Sequence, residues 1–274
     1  MRIRILHETG YTYETPATRS IQIVRLTPRG HDGQFVINWR LDVDQDCHLE
    51  AATDAFGNRV HAFTVEGPLE KLTITADGVV ETFDTNGVIT SQVERFPPAV
   101  FLRNTSLTTP DAAIKALGQA VAEKAGSDRL ALLHGLMDAI RETMRFDNGH
   151  TDPRTSAADA FALGHGVCQD FAHVFIAAAR YLEIPARYVG GYMFRIDERN
   201  QQDAGHAWAE ALVDGLGWVG FDPANGICPT DAHIRVAIGL DYLGAAPIRG
   251  TRYGGYGEEL TVKVEVSLSG RPSR

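Results

Sequence analysis

The spacing of the apolar residues in this 274-residue chain changes once, close to residue 100. Before that point, short segments rich in Val, Ile, Phe and Thr occur, for example at residues 35–43 and 72–80. Turn residues such as Ala76-Asp-Gly78 separate or end these segments. Short strands with turns between them predict an antiparallel, β-sandwich-like domain over residues 1–100. Phe96-Pro-Pro98 then breaks the pattern, and we interpret it as a linker.

After about residue 108 the apolar spacing becomes helical. Leu130, Leu133, Met137 and Ile140 recur at intervals of three and four residues, which predicts a helix over about 128–143. Helices followed by strands predict an α+β region over residues 101–274. The other predicted elements are helices at about 110–125 and 168–182, and strands at about 186–194, 206–213, 218–222 and 260–267. The last of these strands is compatible with a return to the N-terminal β domain.

Composition excludes several classes of protein. The 26 Lys and Arg residues against 35 Asp and Glu give a net charge of −9, so there is no electrostatic reason to bind nucleic acid or an anionic membrane. No apolar run approaches the ~20 residues that a membrane-spanning helix needs, and no secretory signal is evident. Cys47, Cys168 and Cys228 form no CxxC pair, which argues against a disulfide framework. We therefore expect a soluble, cytoplasmic protein.

Cys168 lies at the predicted start of a helix, in the segment Gly164-His-Gly-Val-Cys-Gln-Asp170. Unpaired backbone N–H groups and the helix dipole favour an anion at that position, so they stabilise a thiolate. The glycines on either side of His165 allow another backbone to approach closely. A buried structural cysteine is the alternative, and it is the commoner fate of an isolated cysteine.

His206 and Asp222 lie on two neighbouring predicted strands, and the register of the hairpin decides whether they meet. A three-residue loop at 213–215 would place His206 directly opposite Asp222. A four-residue loop at 214–217 would instead pair Asp222 with Ala209 and separate the two side chains. Considered alone, His206 is interpreted as a core histidine and Asp222 as a turn residue before a proline. Together with Cys168, they supply the nucleophile, the base and the orienting acid that thiol catalysis needs.

Several segments of the chain, in this order, resemble the bacterial transglutaminase-like superfamily of papain-like cysteine enzymes. The catalytic-core segments are Gly166-Val-Cys-Gln-Asp-Phe-Ala-His173, Glu183-Ile-Pro-Ala-Arg-Tyr-Val-Gly-Gly-Tyr192, His206-Ala-Trp-Ala-Glu210 and Gly217-Trp-Val-Gly-Phe-Asp-Pro-Ala-Asn-Gly226. The segment His233-Ile-Arg-Val-Ala-Ile-Gly-Leu-Asp-Tyr242 resembles the part that follows the core. Tyr11-Thr-Tyr13 and Arg25-Leu-Thr-Pro-Arg29 resemble the N-terminal β domain of those proteins.

This resemblance implies a papain-like transglutaminase core, with helices packed on an antiparallel sheet, preceded by the N-terminal β domain. It implies Cys168 as nucleophile, His206 as base and Asp222 as orienting acid. The implied reaction is cleavage of a peptide or isopeptide amide through a thioester on the cysteine. Transfer to an amine, as in protein-glutamine γ-glutamyltransferases, and a non-catalytic binding module on the same fold are the alternatives. No cofactor or metal is implied, and the expected partner is a peptide or protein substrate.

Four further residues are candidates for substrate binding. Trp208 shares the predicted face of His206 and is interpreted as a wall of the site, with core packing as an equal alternative. Gln169 is the candidate side-chain donor to the oxyanion, beside the backbone N–H of the nucleophile. Asp241 and Tyr242 are candidates for the lining of the cleft, although a turn explains them as well.

Overall fold

The computed structural model describes residues 1–89, 94–195, 201–202 and 204–270. These residues form an α+β protein with two main antiparallel sheets. The helices are α1 (Ala112–Ala125), α2 (Arg129–Thr143), α3 (Ala157–Leu163), α4 (Cys168–Tyr181) and α5 (Tyr242–Ala245). The strands are β1 (Arg2–Thr27), β2 (Gln34–Val43), β3 (Glu50–Thr53), β4 (Arg59–Thr82), β5 (Val88–Ile89), β6 (Arg145–Phe146), β7 (His165–Gly166), β8 (Ala186–Met193), β9 (Gln201–Gln202), β10 (His206–Val213), β11 (Gly217–Phe221), β12 (His233–Gly239), β13 (Ile248–Tyr253) and β14 (Tyr256–Leu268). No helix among the described residues is long and apolar enough to cross a membrane.

The N-terminal sheet is built on two very long strands. β1 has 26 residues and β4 has 24, and they pair antiparallel from Arg2↔Glu81 to Thr27↔Arg59. The turn predicted at Ala76-Asp-Gly78 is wrong, because β4 runs straight through it. Gly78 serves close approach instead: a Cβ there would meet the indole of Trp39 at 2.4 Å.

One core lies between the two ends of this sheet. Tyr13 and Val24 from opposite halves of β1 belong to the same apolar cluster as Phe63 and Ile74 from opposite halves of β4. Register shifts between Thr12 and Arg19 allow the strands to bend at their middle. A single seven-stranded sheet therefore closes over its own core, which gives the domain its sandwich-like character.

The second sheet has the order β12-β8-β10-β11-β5 and packs against the central helix α4. Small residues make this contact close: β10 presents alanines at 207, 209 and 211, and α4 contains three consecutive alanines at 177–179, all buried. α1, α2 and α3 cover the other sides of α4. The helix is consequently buried over nearly its whole length, and the position of its first turn is fixed by the surrounding core.

The two sheets are joined through shared apolar and polar contacts. The last strand, β14, pairs with β1 from Ile3↔Leu268 to Thr15↔Tyr256, so the C-terminal part of the chain completes the N-terminal sheet. The Gln34 side-chain amide donates to the carbonyl of Arg235 at 2.9 Å and accepts from its N–H at 2.8 Å. Asn58 makes the same pair of bonds with Ile238, at 2.7 and 2.8 Å. Both of these partners lie on β12, at the edge of the second sheet.

A buried ion network lies beneath the second sheet, around Glu210. Its carboxylate accepts from Arg187 Nε at 2.6 Å and from Arg235 Nε at 2.7 Å. Burial disfavours the charged carboxylate, but the two guanidinium groups outweigh burial and hold the pKa of Glu210 at about 2. The guanidinium of Arg187 also stacks over the ring of Trp218 at 3.8 Å.

Glu210→Gln is expected to lower the free energy of unfolding by about 3–5 kcal/mol, because it leaves two arginines in the core without a full counter-charge. Urea unfolding followed by circular dichroism measures this loss. The matched control is Asp77→Asn, which removes the partner of Arg4 in a pair whose side chains are both exposed. Asp77→Asn should lower the free energy of unfolding by no more than about 1 kcal/mol. Equal losses in the two variants would contradict a structural role for the buried network.

Candidate active site

Cys168 is the first residue of α4, as the sequence predicts, and its side chain is half-buried. The Asp170 carboxylate accepts from the backbone N–H of Val167 at 2.8 Å and from the Thr151 hydroxyl at 2.7 Å. Burial raises the pKa of Asp170, although these two hydrogen bonds oppose the rise. Asp170 therefore closes the first turn of the helix, and the backbone N–H of Cys168 has no intrahelical acceptor.

His206 begins β10 and Asp222 directly follows β11, and their side chains meet. Nε2 of His206 lies 2.6 Å from Oδ2 of Asp222. The ring lies beside Cys168, which helps to raise the pKa of His206, and the two side chains line the same cleft. Because Nε2 faces the carboxylate, Nδ1 is the nitrogen that is left for the thiol. The three side chains form one connected chain of contacts.

The hairpin register differs from both predicted alternatives. Val213 pairs with Gly217, so the loop is 214–216 and Ala209 pairs with Phe221. This register puts Asp222 diagonal to His206 rather than directly opposite. The shift of two positions keeps both side chains on the same face of the hairpin, whereas a shift of one position would have separated them. Diagonal neighbours remain within reach of long side chains, which explains why the contact survives.

Two residues that the sequence interpretation missed complete the surroundings of Asp222. Asn225 donates from its side-chain amide to Oδ2 of Asp222 at 2.7 Å and from its backbone N–H to Oδ1 at 3.2 Å. His233 on β12 has Nε2 at 3.2 Å from Oδ2. Its Nδ1 accepts from the N–H of Thr230 at 3.1 Å, so a neutral His233 carries its proton on Nε2 and donates to Asp222.

The charges of the site follow from these contacts. Burial works against both charged groups, but the positive charge and hydrogen bond of His206 hold the pKa of Asp222 well below its usual range, helped by His233 and Asn225. Burial also lowers the pKa of His206, yet Asp222, with a further contribution from Cys168, raises it from 6.5 to about 10. With its pKa raised in this way, His206 at neutral pH is an imidazolium held against a carboxylate.

This shift makes the stability of the fold depend on pH. The pKa of His206 is raised on folding, so its contribution to stability is fully present below the unfolded value of 6.5 and is lost as the pH rises through about 10. We expect the difference in unfolding free energy between the wild type and His206→Ala to shrink between about pH 7 and about pH 10.5. Urea unfolding at a series of pH values measures it, and a difference that stays constant would show that the imidazolium is not stabilised.

A cleft of about 310 Å³ opens directly over Cys168 and His206. One wall comes from the N-terminal sheet, through His7 and Thr9 on β1 and Leu260 and Val262 on β14. Burial lowers the pKa of His7 to about 4, so this histidine is neutral, and its Nδ1 lies 2.8 Å from the hydroxyl of Tyr192. The cleft is thus formed at the seam between the two sheets, which could not be predicted from either half of the sequence.

Of the four predicted substrate-binding residues, Gln169 and Tyr242 line this cleft. Trp208 and Asp241 are not among its described lining residues. Trp208 is buried and packs behind the site, with its ring 5.4 Å from that of His233. Asp241 is the N-cap of α5, where its carboxylate accepts from the N–H of Gly244 at 3.0 Å.

Tyr188 also lines the cleft, and the sequence interpretation assigned it no role. Burial, with a smaller contribution from nearby Cys168, raises its pKa well above the usual value. Its hydroxyl therefore remains protonated and can donate a hydrogen bond. A tyrosine on a buried strand is typical of core packing, so the local sequence gives no signal for a role of Tyr188 in the cleft.

Among the residues that the structure describes, two groups of side chains have ligand atoms close enough together to hold a metal ion. In the first group, His206, Asp222 and His233, both imidazoles converge on the same carboxylate oxygen at 2.6 and 3.2 Å. The 2.6 Å contact between His206 and Asp222 is a short hydrogen bond, and it leaves too little room for both atoms to bind one ion. The second group, Asp147, His150 and His165, lies on the surface beside the cleft.

Comparison with known proteins supports the resemblance to the transglutaminase-like superfamily. Residues 3–81 match the bacterial transglutaminase-like N-terminal region, and residues 115–223 match the transglutaminase-like superfamily. An uncharacterised protein of Mycobacterium leprae is 32% identical over 280 residues, which cover 97% of this chain and 98% of the relative. An uncharacterised protein of Mycobacterium tuberculosis is 30% identical over 275 residues, with 92% and 88% coverage.

Among solved structures, a candidate cysteine protease from Cytophaga hutchinsonii shares the fold. It has a TM-score of 0.77 at 21% sequence identity and covers 100% of this chain and 92% of its own. The likeness extends over both sheets, so the arrangement of the two regions is common to the two proteins. The chain belongs to the transglutaminase-like superfamily and begins with the bacterial N-terminal region of that family.

Proposed function

We propose that this protein is a cysteine amidase or peptidase that cleaves a peptide or isopeptide amide. The observation that carries the proposal is the connected set Cys168–His206–Asp222 at the floor of the cleft, with its carboxylate held by additional donors. Thiol catalysis needs an accessible cysteine and a histidine placed to accept its proton, and Cys168 and His206 line the same cleft.

In the proposed reaction, the thiolate of Cys168 attacks the carbonyl carbon of the amide. The carbon–nitrogen bond breaks, the imidazolium of His206 gives its proton to the departing amine, and a thioester remains. Water then attacks the thioester while His206 accepts its proton, so that a carboxylic acid and the free enzyme are released. The backbone N–H of Cys168 and the side chain of Gln169 are the proposed donors to the oxyanion.

The lining of the cleft supports an uncharged, extended substrate. Apart from the catalytic pair, Asp152 is the only acidic or basic side chain among its described lining residues, besides the neutral His7. The other lining residues are mostly apolar or glycine, which allows an extended backbone to approach closely. A peptide with apolar side chains beside the reacting amide fits this description. A reducing, cytoplasmic location is part of the proposal, because the nucleophile must remain a free thiol.

Alkylation by iodoacetamide, read residue by residue with mass spectrometry, tests the proposed nucleophile. Cys47 and Cys228 are matched internal controls because they are also half-buried, and burial raises the pKa of both. We expect Cys168 to react much faster than either control at neutral pH, and the advantage to disappear in His206→Ala. A rate equal to that of the controls would overturn the proposal and would favour a binding module on the same fold.

Supplying a primary amine with an accepted substrate separates hydrolysis from transfer. Both reactions pass through the same thioester, so the alkylation result does not distinguish them. Incorporation of the amine into product at a rate that exceeds hydrolysis would identify the protein as a transferase. Release of free acid alone would support the hydrolase.

A further inference from the structure

We propose that Asp147, His150 and His165 form a binding site for a Zn²⁺ ion at the rim of the cleft. The backbone brings these residues together. β6 and β7 pair in parallel with Arg145 opposite His165, and the N–H of Asp147 donates to the carbonyl of Gly166 at 3.0 Å. The loop that follows returns His150 to the same point, where its ring centroid lies 5.2 Å from that of His165.

The three ligand atoms have the spacing of a tetrahedral metal site. Oδ2 of Asp147 lies 3.2 Å from Nε2 of His150 and 3.7 Å from Nδ1 of His165. All three atoms lie within 4.8 Å of one another. Zinc bonds of about 2.0–2.2 Å place neighbouring corners of a tetrahedron about 3.3 Å apart. Small side-chain adjustments are therefore sufficient for all three atoms to bind one ion.

The chemistry of the donor set agrees with this geometry. Two imidazoles and one carboxylate form a common ligand set for Zn²⁺ in sites that keep a fourth position for water. The side chains are between about one third and one half exposed, so an ion can enter from solvent. Nδ1 of His165 is shielded from water and makes no hydrogen bond to any described residue. A surface ion pair between His150 and Asp147 would leave Nδ1 of His165 without a partner, whereas a bound metal ion would accept it as a ligand.

The position of the site connects it to the reactive cysteine. His165 precedes Cys168 by three residues, and Thr151 and Asp152, which follow His150, line the cleft. Thr151 is already held by the carboxylate of Asp170 in the first turn of α4. An ion shared by Asp147, His150 and His165 would fasten the 147–155 loop to the segment that leads into the nucleophile. Zn²⁺ would thereby fix one wall of the cleft without touching the reacting atoms.

Isothermal titration of the full-length Cys168→Ala variant with Zn²⁺ tests this site, because that background removes the thiol as a competing ligand. We expect one bound ion per chain. His150→Ala, which alters an exposed loop residue, should weaken the affinity by at least about 10–100-fold, the loss typical even for residues that only support a metal ligand. His48→Ala, at another exposed histidine, is the matched control and should bind as the background does. Titration with Co²⁺ should give the visible absorption of tetrahedral cobalt, and His165→Ala should remove it.

Two results would overturn the proposal. The first is unchanged affinity in both His150→Ala and His165→Ala. The second is loss of binding in His233→Ala instead, which would place the ion at the group around Asp222. Neither result depends on amide turnover, so the zinc site and the proposed function can fail independently. Thermal unfolding with and without Zn²⁺ gives a second readout, since a ligand that binds the folded state raises the melting temperature.

Discussion

Cys168→Ala is expected to lower amide turnover by at least about 10⁴-fold, since loss of the nucleophile in a triad leaves only the contributions of binding and the oxyanion donors. The fold should survive, because the side chain is half-buried and the change removes a single sulfur atom. Amine release from a peptide that the wild type cleaves measures the loss, and circular dichroism verifies the fold.

Cys228→Ala is the matched control for this experiment. It makes the same chemical change at a half-buried thiol that lies outside the described cleft lining, so turnover should stay close to that of the wild type. Turnover in Cys168→Ala above about one tenth of the wild-type value would be incompatible with a thioester on this residue.

Asp222→Asn is expected to cost about 10⁴-fold in kcat, the second largest effect. The carboxylate fixes the orientation and the protonated nitrogen of His206 through the 2.6 Å contact. An asparagine has nearly the same shape, but its neutral amide cannot stabilise the imidazolium. The substitution should therefore reduce kcat much more than it changes KM, and should slow the alkylation of Cys168. A loss confined to KM would assign Asp222 to substrate binding.

His233→Ala removes a single hydrogen bond to the same carboxylate and should therefore have a smaller effect than Asp222→Asn. His233 donates one of several hydrogen bonds to Asp222, and losing one such bond to a charged group costs about 1.5–3 kcal/mol. The expected reduction in kcat is therefore roughly 10–150-fold, well below that of Asp222→Asn. A loss as large as that of Asp222→Asn would show that His233 itself takes part in the reaction.

The sequence predicts those parts of the site that depend on local patterns. Cys168 at the start of α4 follows from the glycines before it and the helical spacing after it. The pairing of His206 with Asp222 depended on the loop at 214–216, and an error of two positions preserved the shared face where an error of one would not have. Local spacing therefore left the contact open, and the family resemblance is what predicted it.

The missed features arise from long-range packing. His233 reaches Asp222 from β12, which pairs with β8 rather than with the hairpin. The sequence allowed the last strand to return to the first domain, but it did not indicate that Leu260 and Val262 would then form a wall of the cleft, more than 240 residues from their partners on β1. The wrong prediction of a turn at Gly78 has a similar origin. Glycine is required there because the indole of Trp39, on the neighbouring strand, leaves no room for a side chain. No local pattern encodes such contacts.

The side-chain amides of Gln34 and Asn58 protect one strand edge of the second sheet. By occupying N–H and C=O groups of β12, they cover the edge of the second sheet with residues from the N-terminal domain. A strand edge without such cover is a template for aggregation with other chains. A transglutaminase-like core without this first region would need another protection of that edge. The N-terminal region thus shields this strand edge from pairing with another chain.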